Sequence, residues 1–218
     1  MSEKDEKKNT KNLGPGTVRS SVSKTVHKSK VDPDKLPKVV AFTGFQGVGK
    51  DLAATKLIKD YGYELVKFAD GLKVMLKSYL EYQGVDPKTI IEMIEGELKE
   101  TPSEFLEGRT PRLAMQTLGT EWGRSLIGSN VWVNATLNRI KSLDKVVITD
   151  MRFKNEANAV HDISGAASVR IVRPGYGRKG LHPSETEIAS LKIDAEVLND
   201  DTPEVLHDRL IEQLKVIK

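Results

Sequence analysis

Lys50 closes the run Gly44-Phe45-Gln46-Gly47-Val48-Gly49-Lys50-Asp51, which carries glycine and lysine at the spacing G-x-x-x-x-G-K. Glycines there let the chain curl until successive backbone N–H groups point into one concavity, where phosphate oxygens bind. A lysine directly after such a loop reaches the β- and γ-phosphates of a nucleoside triphosphate. The apolar run Val39-Val40-Ala41-Phe42 precedes the loop, and the helical pattern Leu52-Ala53-Ala54-Thr55-Lys56-Leu57-Ile58 follows it. Strand, loop and helix start is the setting that phosphate binding by a P-loop requires. One residue departs from the pattern. Asp51 stands where a Ser or Thr hydroxyl usually touches Mg²⁺, so the metal site is a modified one, with a water between carboxylate and ion as one arrangement.

Other polar residues fall into patterns that chemistry could use. Thr110-Pro111-Arg112 reads as an N-cap, a proline at the first helical position and a helix start. In the helix that follows, Arg112, Gln116, Thr120 and Arg124 recur at steps of four, while Met115, Leu118, Trp122 and Leu126 form a second stripe assigned to packing. Two arginines and an amide on one face suit a phosphate and a base, or else make an exposed helix face. Gly119 and Gly123 interrupt this helix at a cost of about 1 kcal/mol each relative to Ala, which suggests close approach by a ligand or another chain. Trp132 is either a core aromatic or a ring that stacks on a base. Lys73 and Lys77 are four apart and suit a phosphate or a solvated edge. Asp150 follows Val146-Val147-Ile148-Thr149 and suits either a Mg²⁺ site at a strand end or the cap of the next helix. Arg173-Pro174-Gly175-Tyr176-Gly177-Arg178-Lys179-Gly180 is a glycine-rich basic loop able to close over a nucleotide, or an ordinary charged loop. His182 alone indicates no metal.

These residues need a scaffold, and the 218-residue chain is long enough to bury a core. It contains no cysteine, which excludes a disulfide framework and thiolate zinc and fits a reducing compartment. No apolar run approaches the roughly 20 residues needed to span a bilayer, and the charged N-terminus lacks the apolar stretch of a secretory signal. Charge divides unevenly. The first 38 residues hold ten basic and five acidic side chains, leaving 24 basic and 26 acidic beyond them. The near-neutral remainder argues against a globular nucleic-acid-binding domain, and only the basic arm is suited to such a partner. Residues 1–37 are rich in Lys, Ser, Asn and Thr without apolar period, and disorder is expected there.

From Lys38 onward strands alternate with helices, the sign of an α/β fold with a mostly parallel sheet flanked by helices. The strands are expected at Val39–Thr43, Tyr63–Phe68, Lys145–Thr149, Ser168–Val172 and Ile193–Leu198, with a closing helix at Pro203–Ile217. A largely helical insertion, about residues 70–141, separates the second and third strands. In its first helix Leu72, Leu76, Tyr79 and Leu80 take helical spacing and are assigned to the core.

Gly44–Asp51 with its G-K-D ending, Phe68-Ala69-Asp70-Gly71-Leu72-Lys73, Leu118-Gly119-Thr120-Glu121-Trp122-Gly123-Arg124, Val131-Trp132-Val133, Thr149–Ala157 and His182-Pro183-Ser184-Glu185 together resemble the phage-type deoxynucleoside monophosphate kinases. The resemblance covers about residues 38–190. It implies a P-loop kinase domain over 38–218 with an acceptor-binding insertion at 70–141 and a lid at 173–186. It implies Mg²⁺-dependent transfer of the ATP γ-phosphoryl group to a dNMP, giving ADP and a dNDP. On that likeness Gly44, Gly47, Gly49, Lys50, Asp51 and Leu52 serve ATP. Gln46, Phe68, Ala69, Lys73, Arg112, Gly119, Thr120, Arg124, Trp132 and Asp150 serve the monophosphate, with Arg112 and Arg124 gripping its phosphate. Asp51 and Asp150 serve the metal, and Arg173 and Arg178 are the lid cations. The family includes dimers, so a homodimer is an expectation, as is a cytoplasmic location, the host's if the protein is phage-encoded.

Leu52 marks a departure, because family members often carry Thr there, and neither position 51 nor 52 offers a hydroxyl. Two rivals follow: a P-loop kinase of another small phosphorylated acceptor such as phosphomevalonate, and a nucleotide-binding partner module without turnover. The segment Leu118–Arg124 and Trp132 favour a nucleobase over the first.

Overall fold

The computed structural model describes residues 32, 35–177 and 187–217. In chain order the main elements are β1 (Val39–Thr43), α1 (Lys50–Tyr61), β2 (Glu64–Val66), α2 (Asp70–Tyr82), α3 (Pro87–Ile94), α4 (Pro111–Thr117) and α5 (Val131–Ile140). They continue with β3 (Val146–Ile148), α6 (Lys154–His161), β4 (Ala166–Val172), β5 (Ala195–Leu198) and α7 (Pro203–Val216). β1 is buried at all five positions, as a central strand covered on both faces must be. The sheet order is β2-β3-β1-β4-β5 with every pairing parallel. Val39 pairs with Val146 on one side and Ala166 on the other, so three strand ends share one edge. The glycine loop leaves β1 there, Asp150 follows β3, and Arg173 follows β4.

Side chains of β1 alternate between two layers. Val39 and Ala41 join an apolar cluster with Val133 and Ile140 of α5 and Ala157 and Val160 of α6. On the other side α1 and α7 pack together, burying Leu57, Leu206 and Leu210. The insertion between β2 and β3 has a core of its own, built on Leu76, Leu80, Val85, Ile90 and Met93. Asp86 and Thr110 cap α3 and α4, each followed by proline at the first helical position.

Several expectations need correction. β2 is only three residues, because the N–H groups of Phe68 and Ala69 turn away from the sheet to Asp150. β5 begins at Ala195, where Asp194 has folded back to accept from the Ser168 N–H at 2.7 Å. The fold reaches back into the segment expected to be disordered: Leu36 is buried, and the Tyr63 hydroxyl donates to the Pro37 carbonyl. Residues 1–31, with 33 and 34, lie outside the described residues. Tyr79, assigned to the core, is exposed. Beyond α4 the chain winds as a π-helix over Leu118–Ile127, and the packing stripe breaks up. Met115 and Leu118 reach the insertion's core, whereas Trp122 is 36% and Leu126 76% exposed.

Candidate functional site

The loop after β1 is built on backbone conformations that favour glycine. Gly44, Gly47 and Gly49 have φ of 137°, 81° and 98°. A Cβ on Gly44 would stand 2.5 Å from the Ile171 carbonyl oxygen, and one on Gly47 would stand 2.7 Å from the Tyr176 ring. α1 starts at Lys50 directly after Gly49, with Asp51 in its first turn, where a carboxylate meets the positive end of the helix dipole. Lys50 Nζ donates to the carbonyls of Gly44 at 2.8 Å and Phe45 at 2.9 Å, so its ammonium is held over the mouth of the loop. Asp51 is 78% exposed, with Lys67 3.8 Å away. Leu52 is an exposed side chain outside the cavity described next, so any part it has in the loop is through its main chain.

A cavity of about 610 Å³ opens between the loop and the insertion, within the usual range for a small-molecule site. Gln46, Gly47, Lys50 and Asp51 border it from the loop, and Phe68, Ala69, Lys73, Arg112, Gly119, Thr120, Arg124, Trp132 and Asp150 border it from elsewhere. Gly44 and Gly49 shape the loop without lining the cavity. Lys73 and Lys77 now separate in kind: Lys73 lines the cavity and pairs with Glu95, while Lys77 is exposed beside Glu81.

All four residues of the polar stripe, Arg112, Gln116, Thr120 and Arg124, line this cavity. Helix winding explains how. A step of four overshoots a full α-turn by about 40°, whereas in a π-turn, with its i→i+5 bonds, the same step falls short. Passing from α4 into the π-helix cancels the drift and keeps the stripe in register. The protein itself makes close contacts at both glycines of this stretch, although Gly119 also lines the cavity. The Trp132 indole donates to the Gly119 carbonyl at 2.9 Å, and a Cβ on Gly123 would fall within 2.8 Å of the indole's Cε2 and Cζ2. Trp132 is thus both buried and a lining residue, and the close approach made at Gly123 is by its indole.

Arg124 is held on several sides. It donates to Glu156 at 2.5 Å and to the Ser129 carbonyl at 3.3 Å, and its guanidinium lies 3.8 Å from the centre of the Phe153 ring. Glu156 is fully buried and accepts the N–H groups of Arg152 at 2.7 Å and Phe153 at 3.1 Å, capping α6. Burial, reinforced by the nearby Asp150 carboxylate, pushes Glu156 up to about 7. Asp150 therefore does not cap α6. Its oxygens accept from Phe68 N–H at 2.8 Å and Ala69 N–H at 3.0 Å, fixing the turn between β2 and α2. Loss of solvent raises its pKa, with those two amides acting against the rise.

Arg173 does not line the cavity. Its guanidinium stacks 4.8 Å from the centre of the Tyr176 ring, which in turn rests on Gly47. Arg178, His182 and the rest of the expected lid from 178 to 186 lie outside the described residues.

The sequence reading did not foresee the supports. Asn199, buried at the end of β5, donates from Nδ2 to the Val48 carbonyl at 2.8 Å and so braces the loop. An Asn closing an apolar strand at the same sheet edge as Asp150 is the signal that was available. Glu156, Phe153, Lys67 and Lys99 also line the cavity without having been picked out.

Among the described residues no cluster of three or more His, Asp or Glu side chains could cage a metal. Mg²⁺ bound to a nucleotide needs only one or two carboxylates beside phosphates and water. Asp51, exposed at the cavity's edge beside Lys50, fits that need. Asp150, with both oxygens engaged by amides, is suited to contact through water.

The family model for Deoxynucleotide monophosphate kinase matches residues 97–210. A protein of Acanthamoeba polyphaga mimivirus, provisionally named deoxynucleotide monophosphate kinase, is 31% identical over 189 residues, covering 79% of this chain and 94% of that one. The deoxynucleoside-5'-monophosphate kinase of Escherichia phage T5 is 32% identical over 98 residues, 41% of this chain and 39% of that one. Among solved structures, the shikimate kinase of Aquifex aeolicus aligns at 14% identity with a TM-score of 0.42, over 81% of this chain and 96% of that chain. A likeness that loose bears on nothing further.

Proposed function

The chain belongs to the deoxynucleotide monophosphate kinase family, and from that premise we propose that it transfers the γ-phosphoryl group of ATP to a deoxynucleoside 5'-monophosphate, giving ADP and a dNDP with Mg²⁺. The observation that carries this reading is a shared boundary: Lys50 and Asp51 border the same cavity as Arg112, Gln116, Thr120 and Arg124. A loop suited to a triphosphate and a wall suited to a phosphate and a base thus face one volume, as in-line transfer between two nucleotides needs.

In this reading the loop amides and Lys50 hold the donor's phosphates, and Lys50 exchanges its two carbonyl contacts for phosphate oxygens. Arg112 and Arg124 grip the acceptor's phosphate, Gln116 and Thr120 offer hydrogen bonds, and Phe68 and Trp132 give the base an apolar wall. Asp51 would hold Mg²⁺, with Asp150 reaching it through water. When bound, the ion neutralises charge on the phosphates. No covalent enzyme intermediate is required, because positioning and charge neutralisation supply most of the catalysis. In this reading the kinase domain spans 38–218, with about 70–141 as its acceptor-binding insertion and about 173–186 as its lid.

A coupled assay that follows ADP with ATP, Mg²⁺ and each dNMP or NMP tests this. ADP formation that depends on a dNMP supports it. Formation only with a different phosphorylated acceptor, or none above background, rules it out.

A further inference from the structure

We infer that Lys99 is a contact for the acceptor's phosphate group, an assignment that rests on the phosphoryl-transfer reading above. Among the cations that line the cavity, four are near enough to act on one another, with Lys67, Lys73 and Arg112 grouped around Lys99. Three of them have carboxylate partners. Lys73 Nζ lies 2.5 Å from Glu95, Arg112 pairs with Glu100, and Lys67 is 3.8 Å from Asp51. Lys99 sits in the short 3-10 turn Glu97–Glu100, which packs on α3 and α4. Among the described residues its ammonium has no carboxylate at ion-pair distance.

The setting makes that ammonium costly to keep charged. Loss of solvent lowers its pKa, and the positive charges of Lys73, Arg112 and Lys67 push the same way, with Glu95 pulling against them. A partly buried cation among other cations, on the wall of a cavity, is stabilised by an arriving anion. A phosphomonoester dianion is the fitting class, since its terminal oxygens accept from several cations at once. Glu95 and Glu100 occupy Lys73 and Arg112 in the meantime, and because both carboxylates reach solvent, the pairs can exchange for a phosphate. Donor phosphates have their own receptor in Lys50 and the loop amides, so the charge at Lys99 serves the acceptor.

The test is calorimetric titration of dAMP, dCMP, dGMP and dTMP into the wild-type protein and the Lys99→Met and Lys99→Arg variants, beside steady-state KM values for ATP and dNMP. Lys99→Met is expected to weaken dNMP binding and raise its KM about tenfold, one charge-assisted hydrogen bond's worth. ATP KM is expected to hold, and Lys99→Arg to recover most of the loss. If Lys99→Met does not fold, Lys99→Gln takes its place. Wild-type dNMP affinity in the neutral variant, or a rise confined to ATP KM, overturns the assignment while leaving the kinase reading intact. A wild-type protein that neither binds nor phosphorylates any dNMP overturns both.

Discussion

Arg124 and Glu156 meet at 2.5 Å in the cavity wall, with side-chain exposures of 14% and 2%. The pair joins the acceptor stripe to the helix that follows Asp150, so the orientation of a proposed phosphate ligand depends on a buried carboxylate. Removing one partner strands the other. Arg124→Ala should raise the dNMP KM or lower kcat with ATP binding retained, and should also cost about 3 kcal/mol of stability by leaving Glu156 unpaired. The double variant Arg124→Ala/Glu156→Gln should regain stability without regaining acceptor affinity. Chemical denaturation and dNMP kinetics check both, and recovery of the wild-type dNMP KM in the double variant would remove Arg124 from the acceptor site.

Glu156 also gives a pH signature. Its ordinary value of 4.5 is raised to about 7 in the fold, so the native state holds this proton more tightly than the unfolded chain. The stability it contributes is complete below pH about 4.5 and is lost as pH rises through about 7, a change on the order of 3 kcal/mol. Denaturation midpoints from pH 5 to 8 should therefore fall more steeply for wild type than for Glu156→Gln. Parallel slopes would show that this carboxyl titrates normally.

Lys50→Ala should abolish turnover while the fold survives, because the bonds the lysine makes to the carbonyls of Gly44 and Phe45 lie at the mouth of the loop rather than in the apolar core. Circular dichroism and the ADP assay measure the two halves of that expectation. Activity near wild type would refute the role given to Lys50.

Asn199→Ala should act at a distance from the acceptor. Loss of the buried bond to the Val48 carbonyl costs about 1–3 kcal/mol and slackens the loop, so ATP KM should rise several-fold while dNMP KM changes little. An equal rise in both would mean that Asn199 supports the fold in general rather than the loop.

Gly123→Ala should drive a methyl group into the Trp132 indole, destabilising the protein by about 1–3 kcal/mol and shifting tryptophan fluorescence. An unchanged melting temperature and emission would contradict the packing described for Trp132.

What the sequence made legible was what is local. The loop, the cap at Thr110-Pro111 and β1 each follow from residues next to one another. The stripe Arg112–Arg124 was readable from spacing, although the π-winding that keeps it in line was not. That winding coincides with a contact from another element, the Trp132 indole on the Gly119 carbonyl, and it turned Trp122 and Leu126 outward against their apolar pattern. Supports that join distant residues were likewise hidden: Arg124 and Glu156 are 32 positions apart, and Asn199 is 151 from Val48. Asp150 was found because it ends a strand at the ligand edge, but its partners were not, since the turn at Phe68-Ala69 exists only once β2 and β3 pair.

The most direct test follows the phosphorus atom itself. With ATP labelled in its γ-phosphate, Mg²⁺ and an unlabelled dNMP, the label should appear as the β-phosphate of the dNDP, one for each ADP formed, and should stay in ATP when Lys50 is replaced by alanine. Label that remains in ATP with every dNMP, or that is released only as inorganic phosphate, would contradict the transfer proposed for this cavity.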